Sequence, residues 1–206
     1  LDVAGGDQEI SWKDENGKEQ HFRYLIPNFN QCKGCHLRNQ KVEPIGPSAR
    51  QLNGILKYPN GQKSNQLEYW EKEGILTNLP KDRSSIPAYP AWENGKINDV
   101  DAKAIAYLDI NCSHCHNPAG PAASSGLYFS QGLKDPKHLG VFKTPVAAGR
   151  GSGGFLYDIV PGKPEQSILI YRMKSRDPGI MMPELSRQLL DDKGIQLVTQ
   201  WIEQMK

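Results

Sequence analysis

Polar and apolar positions change rhythm several times along the chain, and each rhythm predicts an element. In "EISWKDENGKEQHFRYLI" (residues 9–26), Phe22, Tyr24 and Ile26 alternate with His21, Arg23 and Leu25. Alternation with period two predicts a strand with one apolar face and His21 on the polar one. Asn16-Gly17 in the middle suits a tight turn needing positive φ, so the segment reads as a hairpin. "NQLEYWEKEGIL" predicts a short helix with Leu67 and Trp70 on one face. "NDVDAKAIAYLDI" predicts a longer one, with Asn98 or Asp99 as N-cap, Asp101 in the first turn and Ile105 and Leu108 on one side. "PEQSILIYRMK" reads as a helix with Pro164 in its first turn. The closing "DDKGIQLVTQWIEQMK" places Ile195, Val198, Trp201, Ile202 and Met205 in an amphipathic stripe. Residues 77–97, rich in Pro, Ser and Asn, read as a linker.

Composition thins the expected core. Only 37% of the 206 residues are hydrophobic, while 20 glycines and 15 prolines predict long loops. The net charge of +2 argues against a nucleic-acid surface, which needs concentrated Lys and Arg. No apolar run approaches the roughly 20 residues that span a bilayer. No signal peptide is visible and the first residue is not Met, so a mature or trimmed form of an exported protein is expected.

The chemistry concentrates in two short stretches, "NQCKGCHLRN" and "NCSHCHNPAGP". Each contains Cys-x-x-Cys-His, and together they use all 4 cysteines: Cys32, Cys35, Cys112 and Cys115. No cysteine remains for a disulfide framework. Paired zinc knuckles normally stand about 15–20 residues apart, far closer than these motifs, and do not require a following His. A thioredoxin-like pair expects a βαβ setting that the pattern lacks. Covalent haem c attachment explains every position. Two sulfurs one helical turn apart match the two vinyl groups, and the next residue turns its imidazole to the iron. The expected cofactors are therefore two covalently attached haem c groups, with His36 and His116 as proximal ligands. His114, inside the second motif, reads as a spacer facing solvent or the haem edge.

A second axial ligand is often Met. Met182, in the Met-Pro loop of "GIMMPELSRQLLDD", is the expected ligand of the second haem. For the first haem the choices are Met181, facing the opposite side of the same loop, His21, or an open position. Met173 and Met205 read as packing residues. Arg150, in "AAGRGSGG", is a candidate partner for a haem propionate, since guanidinium suits carboxylate bidentately.

The chain resembles a bacterial family of di-haem c-type cytochromes. The resemblance rests on "YLIPNFNQCKGCH", "PIGPSARQLN", "NQLEYW", "YLDINCSHCHNPAGPAASSGL", "PVAAGRGSG", "YDIVPGKPEQSILIYRM", "DPGIMMPEL" and the closing "WI". Its second half is similar to the single-haem cytochrome c domains common in planctomycetes. Family members carry additional sequence before the hairpin, which implies that this chain is a C-terminal portion. The resemblance also implies Pro47 as part of the proline segment whose carbonyl receives the proximal imidazole N–H.

The fold expectation is mainly α: tandem cytochrome c-like haem domains with long loops and a small N-terminal β-hairpin. The first domain would span residues 1–95 and the second 96–206. The expected function is electron transfer between redox partner proteins, in the periplasm or another extracytoplasmic location, with room for a membrane tether outside this chain. A di-haem peroxidase-like enzyme with one open iron site, or the haem subunit of a dehydrogenase, is the alternative.

Overall fold

The computed structural model describes residues 3–14, 16–92, 99–133, 135–185 and 187–206. Contacts group the chain into two compact units, Leu1–Pro44 with Tyr107–Lys206, and Ile45–Ala106. Both Cys-x-x-Cys-His motifs belong to the first unit. The boundary expected between residues 95 and 96 lies outside the described residues, as does Asn98.

The first unit opens with an antiparallel hairpin, β1 (Gly6–Lys13) and β2 (Glu19–Ile26). Asp14 ties its turn by accepting from the amides of Asn16 and Lys18, each at 2.9 Å, and Gly17 takes φ +78°. Trp12 meets the Phe22 ring edge-on at 5.5 Å. His21 stays on the exposed face, hydrogen-bonded to Ser11 at 2.8 Å. A capping box then starts α1 (Phe29–His36): the Asn28 side chain accepts the Gln31 amide, and the Gln31 side chain accepts the Asn28 amide. Directly after α1, β3 (Leu37–Arg38) turns back into β4 (Lys41–Val42). Asn39 and Gln40 both take positive φ (48° and 64°), the geometry of a two-residue hairpin turn that follows strand twist.

The second unit holds α2 (Ala49–Leu52), the hairpin β5 (Ile55–Lys57) and β6 (Lys63–Asn65), and α3 (Gln66–Lys72). Asn65 caps α3 through the Leu67 amide, and its own side-chain amide donates to Asn53 at 2.8 Å. Leu67 is buried, as its helical position predicts. The segment expected to be a linker is instead tied into this unit. Asn53 donates to the Ile86 carbonyl at 2.7 Å, Arg83 pairs with Glu71 at 2.5 Å, and the Tyr89 amide donates to Arg50.

Helix α4 (Val100–Asn111) runs into the second motif; Asp99 accepts the Ala102 amide at 2.9 Å, the capping the sequence predicts. Past the short α5 (Pro136–Leu139), the core of the first unit is built by α6 (Ile168–Lys174) and α7 (Asp192–Gln204), which pack together. Ile195, Val198, Trp201 and Ile202 form the buried stripe of α7; Met205 lies just beyond its end and is half-buried. The helix expected from Pro164 is broken. Residues Pro164–Gln166 form one 3-10 turn, and α6 starts after Ser167. Ser167 is fully buried; its hydroxyl donates to Lys163 and accepts the Val160 amide. The Ile168 and Leu169 amides are drawn off to Tyr157 and Asp158. These bonds compete with the helical ladder at that point.

The expected tandem of mainly α, cytochrome c-like domains does not describe this chain. The structure is a mixed α and β arrangement of short elements. Among the described residues the longest helix has 13 residues, and there are three separate two-stranded sheets. Frequent glycine and proline interrupt helices before they can stack as long rods. Among the described residues, no helix is long and apolar enough to cross a membrane.

Candidate functional site

The second motif continues the turn that ends α4. The Cys112 amide donates to Leu108 at 2.9 Å and the His116 amide to Cys112 at 2.9 Å, so residues 112–116 stay coiled. Asn117 locks the exit by donating to the Ser113 carbonyl at 2.7 Å and accepting the Ala119 amide. Gly120 is required here, because a Cβ would run into the Cys115 carbonyl.

Cys112, Cys115 and His116 all line one cavity of about 540 Å³, within the range of roughly 300–1,000 Å³ typical of ligand and cofactor pockets. Leu127, Phe129, Ile159 and Ile168 supply much of its apolar wall, and Phe129 meets the His116 ring edge-on at 5.4 Å. Met182 and Pro183 line the same cavity. The loop carrying Met182 is clamped to the end of α6. The Met182 amide donates to the Arg172 carbonyl at 3.2 Å, and the Arg172 guanidinium donates to Ile180 at 2.8 Å. Arg187 donates to the last carbonyls of α6, those of Arg172 and Met173, and to Ser175.

The hydrogen bonds fix the form of His116. The Ser125 hydroxyl donates to the Ala122 carbonyl at 2.7 Å, which uses its only proton. At 3.2 Å from His116 Nδ1 it must therefore accept, so the imidazole carries its proton on Nδ1 and leaves Nε2 with a free lone pair. Burial lowers the His116 pKa to about 4, which keeps the ring neutral near pH 7. His36 has the same tautomer for a different reason. Its Nδ1 lies 2.9 Å from the Glu43 carbonyl, which can only accept. The β3–β4 hairpin delivers that carbonyl, and the Glu43 amide donates back to His36 at 2.9 Å. The backbone oxygen that orients the first imidazole thus belongs to Glu43 rather than to the Pro47 segment, because the hairpin closes before Pro47 is reached.

The other residues divide as follows. Cys32 points its sulfur toward the Pro27 carbonyl at 3.9 Å and lies outside the cavity lining, as does His36. Gly34 and Cys35 are the first-motif residues on the lining. Met181 is buried in the core at 6% exposure and does not reach the cavity. Arg150 pairs with Asp177 at 3.0 Å on the surface, with 69% of its side chain exposed. The arginine that reaches the cavity is Arg172, half-buried and also 3.5 Å from Glu184. Arg150→Ala is expected to shift stability by less than about 1 kcal/mol, as exposed pairs do, in a thermal unfolding experiment.

His114 is half-buried and lines the same cavity. A His114 nitrogen and the sulfurs of Cys35 and Cys115 lie within 4.8 Å of one another, and His114 Nδ1 is buried with no hydrogen-bond partner. Within this trio the Cys35 pKa is lowered, first because Cys115 donates to it and then because His114 does. Cys115 is raised as the donor of the pair. Burial pushes the Cys112 thiol up to about 12.

These residues fit haem c at the second motif. Two thiols one turn apart, a neutral imidazole with free Nε2, an apolar wall, a thioether from Met182 and a guanidinium from Arg172 all converge there. The first motif has the thiols and the oriented imidazole, on a helix with no fully buried residue. No protein-family model, curated protein or solved structure matches the chain.

Proposed function

We propose that this chain carries two covalently attached haem c groups and passes electrons between redox partner proteins outside the cytoplasm, as its resemblance to di-haem c-type cytochromes implies. The observation that carries this reading is the gathering of Cys112, Cys115, His116 and Met182 around one cavity. Bound there, a haem iron would take up and release one electron. Cys112 and Cys115 anchor the macrocycle, and Ser125 holds the His116 tautomer so that Nε2 is presented to the metal. Arg172 offers a cation to a propionate. The apolar wall keeps water from the metal and so favours the less charged state. The first haem would be held by Cys32, Cys35 and His36, with Glu43 orienting the ring.

A second reading has its own observation. Cys35, His114 and Cys115 form a set of two sulfurs and one nitrogen, the donor types of a zinc site with a fourth position open. The intact mass of the chain, a pyridine haemochrome count and metal analysis separate the two. Two haems per chain support the cytochrome reading. A bare polypeptide with one zinc per chain supports the second. High-spin iron with peroxide turnover would instead mark a peroxidase-like enzyme.

A further inference from the structure

One cysteine from each motif meets the histidine inside the second. A nitrogen of His114 and the sulfurs of Cys35 and Cys115 lie within 4.8 Å of one another. The Cys115 thiol donates to the Gly34 carbonyl at 3.2 Å, and Gly34 in turn sits against Leu185, 3.4 Å from where an added Cβ would stand. Helix α1 thus reaches the cavity rim through Gly34 and Cys35, which belong to the lining. His114 Nδ1 is buried and has no hydrogen-bond partner. A buried polar atom of this kind costs free energy unless a ligand takes it up. Two sulfurs and an imidazole nitrogen suit zinc and disfavour magnesium or calcium. The sequence separation that speaks against paired zinc knuckles does not bear on this trio, which takes a single cysteine from each motif.

Extending the second reading above, on which its donor set rests, we infer that Cys35, His114 and Cys115 hold one Zn2+ in the haem-free chain, and that this ion keeps Cys115 from haem attachment for as long as it stays bound. Three protein donors leave a fourth position, which opens into the cavity that all three residues line and takes water there. Binding displaces the thiol protons to solvent and ties residue 35 to residue 115. Haem attachment at the second motif needs the same sulfur. The Cys115 S–H adds across a vinyl double bond: the S–C bond forms, the π bond breaks, and the thiol hydrogen ends on the neighbouring carbon. A sulfur held by zinc does not make that bond, and the neutral thioether sulfur it would become is a poor zinc donor. Metal and haem therefore exclude one another at Cys115.

The test titrates the reduced, haem-free full chain with Cd2+, then with Zn2+ in competition, and follows the thiolate-to-cadmium absorption. One cation per chain is expected. Cys35→Ala, Cys115→Ala and His114→Ala should each weaken binding by more than about 100-fold, beyond the roughly 10–100-fold that loss of an outer partner costs. Cys32→Ala and Cys112→Ala should bind as the wild type does. A second measurement needs no variant. With Zn2+ bound, alkylation mapped by mass should mark Cys32 and spare Cys35 and Cys115, and a chelator should expose both. Absence of binding, or equal loss in Cys32→Ala and Cys35→Ala, would overturn the site. The chain is then incubated with reduced haem and its haem-bearing peptides are mapped. No link to Cys115 should form while Zn2+ saturates the chain, and a link should appear once the chelator removes it. A Cys115 thioether formed with zinc retained would overturn the exclusion. A chain that binds the cation through these three residues yet takes no haem in either condition would support the site and overturn the haem reading, and the exclusion with it.

Discussion

In the haem-loaded chain proposed above, Met182→Ala is expected to leave both haems attached and abolish the long-wavelength absorption band that a methionine sulfur gives ferric haem. Attachment would depend on Cys32, Cys35, Cys112 and Cys115, none of which the substitution touches. Ligation would depend on the side chain at position 182, whose backbone is held at the cavity by its bond to Arg172. Loss of the thioether should lower the potential of the second haem by on the order of 0.1 V, within the roughly 0.8 V that axial ligands span. The paired control is Met181→Ala. Met181 is buried in the core, so its loss should leave the spectrum intact and cost about 2–5 kcal/mol of stability. Visible spectra and a redox titration of the two variants decide the matter. A band that survives in Met182→Ala and vanishes in Met181→Ala would reverse the assignment.

Trp201→Ala should be the most damaging single change to folding, at about 3–5 kcal/mol. Trp201 is 4% exposed and lies in the buried stripe of α7, between Val198 and Ile202, both at 0%. An alanine there leaves a void that the packed α6–α7 pair cannot collapse to fill. Urea unfolding of the haem-free chain would read the loss directly. A change below about 1 kcal/mol would mean that α7 contributes little to the core of its unit.

That stripe was legible in the sequence because a helix with one wet face writes its period into the residue order. The Asp99 cap and the buried Leu67 were legible for similar local reasons. Ser167 was not, because its effect arises from bonds to Val160 and Lys163 that redirect the chain. The hairpin at residues 55–65 carries the same turn signature, Asn60-Gly61, that marked the N-terminal one. Its strands are mostly exposed and do not alternate, so the signature had no flanking pattern to confirm it. At the site, residue identity gave the cysteines and histidines of both motifs. Their supports, Glu43 and Ser125, depend on where folding returns the backbone. Arg150 was a reasonable propionate partner by residue type, but Asp177 claims it at the surface while Arg172 reaches the cavity. The meeting of Cys35 with Cys115 leaves no trace in either local sequence.

The His36–Glu43 clasp spans only residues 36–43. Loops of about ten residues close in about 10–100 ns, so this imidazole acquires its heading almost as soon as its own stretch of chain is free to move. His116 is held by Ser125, which is also near in sequence, but the lining of its cavity includes Met182, anchored on α6. The proposed axial imidazole of the first motif is thus oriented by its own stretch of chain, while the surroundings of the second draw on segments far along the sequence.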